Sequence, residues 1–340
     1  MIVDRYYYHQ LNKQEQAIYK AFYNGVMLHE EIIPIQVHGE LSQECFERIF
    51  MALTKDNPLI YFLNQSACSV AKDKFGHIAI CPQYFFSKEK VKEYNRAIEK
   101  KVNELVVQLK LLECSDYEKE LRIHDWVCKN IEYDYEGADK NKISKVIASH
   151  NILGVFAHHK AQCEGISKAV KVLLNAVDVK CIVVLGDAVR NGKNILHAWN
   201  IVNIDGKPYQ LDVTWDIGAL EKKKQHMVYD YFNLTDKLMA QDHKADGELP
   251  RCKAKTANYY VQNKCSFLLR HRLMAYIDKL VEQQANVLEF RAESRLNKSA
   301  IEKDVSAYIV QKLQEQGKSR VGIRTYANRS LGVYRIEISG

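Results

Sequence analysis

Residues 161–216 read AQCEGISKAVKVLLNAVDVKCIVVLGDAVRNGKNILHAWNIVNIDGKPYQLDVTWD, and the fold turns on this run. From Ile166 onward, apolar residues fall at Ala169, Val170, Val172, Leu173 and Leu174, the spacing of a largely buried helix. Cys163 stands at or just before its start. There the unpaired N–H groups and the helix dipole favour a thiolate, and the same groups can hold an oxyanion. CIVVLGDA from Cys181 reads as a strand. NILHAWNIVNI reads as a second strand after the Arg190-Asn191-Gly192 turn, and Asp205-Gly206 turns the chain back into KPYQLDVTW.

That turn sets a register. Residues whose numbers add to about 411 pair across the hairpin, which puts Asp212, on the returning strand, opposite Trp199. His197 is two residues from Trp199 and shares its face, so the imidazole and the Asp212 carboxylate come within a diagonal of roughly 7–8 Å, in reach of each other. A lone cysteine at a helix start is most often structural, and a strand histidine beside an aspartate is often only a satisfied polar pair. Three such residues in order, each on the element the chemistry wants, point instead to a thiol nucleophile, its base and the group that orients the base.

The chain has 340 residues, 47% hydrophobic and 27% charged, with only 15 Gly and 5 Pro, so it is long enough for two or three folded domains with little linker. No run approaches the roughly 20 apolar residues of a membrane helix. The start, MIVDRYYYHQLNKQEQ, lacks a signal-peptide pattern, and the nine cysteines are odd in number without a CxxC. The expectation is a cytoplasmic protein with reduced thiols and no membrane association. Charge is uneven. Residues 251–340 hold 17 Lys/Arg against 8 Asp/Glu, leaving 32 against 34 in the first 250. The last quarter reads as a basic module, either a solvated surface or a face for an acidic partner.

Three units are expected: an N-terminal α/β extension (1–110), a core (111–250) and the basic C-terminal α/β module (251–340). In the first, a helix ends at Asn24-Gly25, a strand runs from Glu31 to Val37, Ser42 caps a helix, and LIYFLN, CSVAKD and HIAICP follow as strands. In the core, MVYD after the 221–226 loop reads as a short strand before a helix near Thr235. His124 and Cys128, one helical turn apart, read as core residues. His150, His158, His159 and Cys163 match no common zinc spacing, so no metal is assigned, and His158 and His159 are placed at a cleft mouth. The last module reads as helix, strand, a helix over 298–316, then the strands VGIRTYA and VYRIEIS.

The pattern Cys-x-Gly at a helix start, then His-Ala-Trp-Asn, then Tyr-x-Leu-Asp-Val-Thr-Trp-Asp resembles the bacterial transglutaminase-like domains of the papain-like cysteine enzyme superfamily. RIHDWVCKNIEYDYE before it, and YDYFNLTD with Asp242-His243 after it, agree with the same family. The chain departs from the family at Ile166, where many relatives carry tyrosine. The resemblance covers roughly 115 to 245. It implies an α+β fold in which a helix carrying the cysteine packs on an antiparallel sheet carrying histidine and aspartate. It also implies Cys163 as nucleophile, His197 as general base and Asp212 as orienter, with Trp199 and Trp215 as cleft walls. Gln162 is a candidate side-chain oxyanion donor.

The function expected is cysteine-dependent acyl transfer on protein or peptide amides through a thioester, with hydrolysis favoured over amine cross-linking and no cofactor required. The alternative is a catalytically silent binding or scaffold protein whose basic module holds an acidic partner. Nucleic-acid binding by that module is disfavoured, because it lacks an aromatic platform of recognisable type.

Overall fold

The computed structural model describes residues 4–36, 41–136, 148–190, 192–223, 226–293, 296, 301–318 and 320–339. Val37, Asn191, residues 224–225 of the loop before MVYD and residues 298–300 of the predicted helix lie outside the described residues. The fold is α+β. At its centre is a four-stranded antiparallel sheet in the order Lys207–Leu211, Lys193–Ile204, Cys181–Arg190, His243–Ala245. The hairpin register is the one the turn dictates: Asn200 faces Leu211 and Ile201 faces Gln210.

Both faces of this sheet are covered, which is why its strands read as nearly continuous apolar runs. Cys181, Val202 and Ile204 pack with the Cys163–Ala176 and Asp116–Asn130 helices and the N-terminal region. Ile182, Val184, Trp199 and Ile201 join a second cluster with Leu273, Phe290, Tyr334 and Ile336 from the C-terminal region. That region is a four-stranded sheet, ordered Ser266–Phe267, Val287–Ala292, Val333–Ser339, Gly322–Asn328, with helices Arg270–Glu282 and Ile301–Glu315. Many of its basic side chains pair internally: Arg270 with Asp304, Arg329 with Glu302, Arg335 with Glu289.

The N-terminal region has a three-stranded sheet ordered Ile33–Ile35, Ile78–Cys81, Ser69–Lys72. LIYFLN forms no strand. Ile60, Tyr61, Phe62 and Leu63 are buried as an irregular segment, with an isolated bridge from Leu63 to Tyr84. The first long helix runs through Gly25 to Leu28; Gly25 serves not as its stop but as a close contact, since a larger residue there would collide with Ile33. Ser42, Ser87 and Ser115 each accept a first-turn N–H and so fix where three helices begin. MVYD is not a strand; only Leu234 bridges to Gln210, and Thr235 precedes a one-turn helix, Asp236–Met239. All nine cysteines are unbridged. No described helix is long and apolar enough to cross a membrane.

Candidate active site

Cys163 is the first residue of the Cys163–Ala176 helix. Its backbone is held from both sides. The Gln162 N–H donates to the Ser149 carbonyl (2.9 Å), and the Ser167 hydroxyl donates to the Cys163 carbonyl (2.7 Å). The first helical bond is Ile166 N–H to Gln162 O, so the preceding N–H groups have no partner within the helix. Gly165 lets this end of the helix press on the 149–151 segment, since a Cβ there would lie 2.6 Å from Ser149 O and 2.8 Å from Asn151 O. Asn200, the last residue of His-Ala-Trp-Asn, donates its amide to Ser167 O (3.0 Å) and Ile182 O (3.2 Å). That side chain ties the cysteine helix to the histidine strand.

His197 is buried, with its Nε2–H donating to Asp212 Oδ2 at 2.7 Å. The Cys163 side chain also raises its pKa, so with Nε2 taken by Asp212 the nitrogen left for the sulfur is Nδ1. Burial disfavours the imidazolium, but the Asp212 charge and the bonds to Asp212 and Cys163 outweigh it and raise the His197 pKa to about 10. Asp212 is fully buried, and burial alone would raise its pKa. The positive His197 beside it and the bonds from His197 and His243 hold it well below the usual carboxylate range. Asp212 is not on the strand, as the pattern implied, but one residue past its end. Val213–Lys223 is a helix, and Asp212 Oδ1 accepts the Trp215 N–H (3.1 Å) as its cap. The capping role suits the site: it pins one carboxylate oxygen while the other faces the imidazole.

The sequence reading missed His243. It sits on the edge strand opposite Ala188, and its Nε2–H donates to the same Asp212 oxygen at 3.0 Å. Between the two imidazoles the Cys181–Arg190 strand presents only Gly186 and Ala188, opposite His197 and Ile195 respectively. Gly186 is required for the pairing itself, since a Cβ there would strike the Lys244 carbonyl. His243 Nδ1 bonds Asp242 Oδ1 (2.6 Å), and the Tyr231 hydroxyl donates to Asp242 Oδ2 (2.6 Å). Asn328 of the C-terminal region lies near enough to favour ionisation of the same hydroxyl. Burial lowers the His243 pKa, but Asp212 and Asp242 outweigh it and the net shift is upward. Ligand atoms of His197, Asp212 and His243 lie within 4.8 Å of one another. Each Nε2 is already committed to Asp212 Oδ2, so the hydrogen-bond chain accounts for the cluster. The Asp242-His243 dipeptide was the available signal, but three residues of strand at a sheet edge are too short to read from pattern.

Beside His197 opens a cleft of about 360 Å³. Tyr133, Arg190, Trp215 and Tyr231 line it, and the Asn328–Ser330 turn of the C-terminal region closes its far side. Of the residues expected there, Trp215 is a wall. Trp199 is not: it is 1% exposed, stacks behind His197 (ring centroids 6.0 Å apart) and donates its indole N–H to Gln210 Oε1 (2.7 Å). His158 and His159 are exposed and do not line the cleft; they end the Ile152–His158 helix, with His159 in the left-handed region. Gln162 is buried, and its amide donates to Asp134 O (3.3 Å) rather than facing the cleft.

Residues 104–213 match the family model of the transglutaminase-like superfamily. The kyphoscoliosis peptidases of Mus musculus and Homo sapiens are 29% and 27% identical to this chain over 159 residues. Those matches cover 43% of this chain and 23% of each relative, so less than a quarter of the relatives' length is represented here. Among solved structures, the crystal structure of a TGase is similar at a TM-score of 0.30 and 17% identity, covering 54% of this chain and 50% of that one.

Proposed function

We propose that this chain, which carries a transglutaminase-like domain, is a cysteine-dependent acyl-transfer enzyme acting on protein or peptide amides, with Cys163, His197 and Asp212 as its triad. The reading is carried by one observation, a His197 that lines an open cleft, is bonded to the buried Asp212 and feels the side chain of Cys163 at a helix start. The Cys163 thiolate adds to the amide carbonyl, and the oxyanion that forms is held by the free N–H groups of the helix start. His197, kept protonated by Asp212, gives its proton to the leaving nitrogen as the C–N bond breaks, and a thioester remains. Water then adds to the thioester while His197 takes its proton, and the carboxylic acid leaves as the C–S bond breaks. Hydrolysis is favoured over transfer to an amine because it needs no second binding site, and the likeness to proteins named peptidases supports it.

Incubating the protein with a peptide mixture from a cell lysate, quenching in acid and mapping adducts tests this. A hydroxylamine-sensitive acyl group on Cys163 is expected in the wild type and absent from Cys163→Ala. Turnover without any adduct, or an adduct on another cysteine, contradicts it.

A further inference from the structure

The walls of the cleft are unevenly charged. Asp230 is its one carboxylate among the described residues, and that side chain is 3% exposed and accepts from the Tyr260 hydroxyl (3.4 Å). Two guanidinium groups line the opening. Arg329, on the C-terminal turn, pairs with Glu302 at 2.6 Å. Arg190 ends the Cys181–Arg190 strand and has no carboxylate partner among the described residues. Its guanidinium lies over the Tyr135 ring, 5.8 Å from the centroid, and passes Gly218, where a Cβ would be 3.9 Å from Nη2. An aromatic ring holds such a group by its face and leaves the N–H fork free for an anion. Tyr133, another cleft wall, feels the charges of both Cys163 and Arg190, and Arg190 lines the same cleft as His197.

We propose that the cleft takes an acyl donor bearing a carboxylate close to the reacting carbonyl, and that Arg190 is the residue that binds it. The inference rests on the acyl-transfer reading and names the substrate class for it. Arg329 contributes less, because Glu302 already offsets its charge. A planar guanidinium receives a carboxylate through two parallel N–H bonds, which fixes orientation as well as attraction. The carboxylate can belong to an Asp or Glu side chain or to a chain end, since the fork recognises both alike.

The test compares alkylation of Cys163 by iodoacetate and by iodoacetamide, reagents of similar size that differ in charge. The ratio of the two rates cancels any general change in sulfur reactivity. It is expected to fall about fivefold in Arg190→Ala, with partial retention in Arg190→Lys and a smaller fall in Arg329→Ala. Thermal melting of Arg190→Ala checks that it folds, and Arg190→Gln, which keeps the stem over Tyr135, is the second variant. Peptidyl vinyl sulfones carrying Glu or Gln, each as free acid or amide, then assign the carboxylate to a side chain or a chain end. Fast labelling of Cys163 with a ratio unmoved in Arg190→Ala and Arg190→Gln overturns the carboxylate inference and leaves the acyl-transfer reading intact. A Cys163 no more reactive than the other cysteines overturns both.

Discussion

The molecule holds two sets of cysteine, histidine and aspartate, and they behave oppositely. In one, His197 lines a cleft, bonds Asp212 behind it and feels the side chain of Cys163. In the other, His124 Nε2 bonds Asp216 Oδ2 at 3.0 Å and lies 3.6 Å from the Cys128 sulfur, with His124 and Asp216 at 1% and 0% exposure. The residue types are alike; the elements differ. Cys128 lies inside the Asp116–Asn130 helix, where its own N–H is used, and burial pushes its thiol pKa up. Cys163 stands at a helix start. Asp212 receives three N–H donors and stays ionised, whereas burial pushes Asp216 up to about 7 against the pull of His124. A triplet of residue types is therefore not a site. What distinguishes the cleft set is the helix start, the number of donors on the carboxylate, and an opening for substrate.

The widest separation between the two sets is expected from the cysteines. Cys163→Ala should lower acyl transfer by about 10⁴-fold or more, while Cys128→Ala keeps the activity and loses only the stability of a small core side chain. Steady-state rates and melting curves on the same preparations check both arms. Next come the aspartates. Asp212→Asn should cut the rate about 10²- to 10⁴-fold with the fold intact, because the imidazole loses its orienter. Asp216→Asn should instead cost about 3 kcal/mol of stability, as one partner of a buried pair is removed. Equal effects of the two substitutions on rate would break the comparison.

His243 lies between these extremes. It touches neither substrate nor sulfur but holds Asp212, so His243→Ala should lower the rate about 10- to 100-fold and shift the pH profile, and His243→Gln should recover part of the loss. A loss of melting temperature alone, with an unchanged profile, would assign it a packing role. For His197, whose pKa stands at about 10, acyl transfer needs the imidazolium as proton donor and should fall as pH rises through 10. Alkylation of Cys163 needs no such donor and should not fall there.

The last effect concerns the sealed region. Glu120 is buried beside Asn233, whose amide donates to Oε2 (2.6 Å), while Oε1 has no hydrogen-bond partner among the described residues. Burial raises its pKa to about 8. The fold therefore keeps a proton that the unfolded chain releases above its ordinary carboxylate range, and stability falls as pH rises from there to about 8, by up to about 1.4 kcal/mol per pH unit. Glu120→Gln should flatten that slope in urea titrations. An unchanged slope would mean that Glu120 is ionised in the fold.

Much of the cleft set was legible in sequence because it depends on local rules. A period of 3.6 placed Cys163 at a helix start, and a Asp205-Gly206 turn with a period of two brought His197 to Asp212. Where the reading failed, long-range packing decided. Leu59–Asn64 looks like a strand but finds no partner strand. Trp199 shares a face with His197 yet is claimed by the C-terminal core. Asp212 falls one residue past the strand because it caps the helix that follows. His243, Asn328 and Arg190 reach the site only through sheet order and through the docking of a region seventy or more residues downstream of the hairpin, and no local pattern encodes either.

The central claim is that Cys163, alone among nine cysteines, is paired with a base at an open site. Competitive labelling of the native protein with limiting iodoacetamide from pH 5.5 to 7.5, followed by peptide mapping of all nine, tests it most directly. The account predicts that Cys163 is modified first across the whole range, that Cys128 is unmodified until the protein is unfolded, and that His197→Ala removes the advantage of Cys163. Labelling of Cys163 no faster than Cys45 or Cys114, or an advantage that survives His197→Ala, would contradict it.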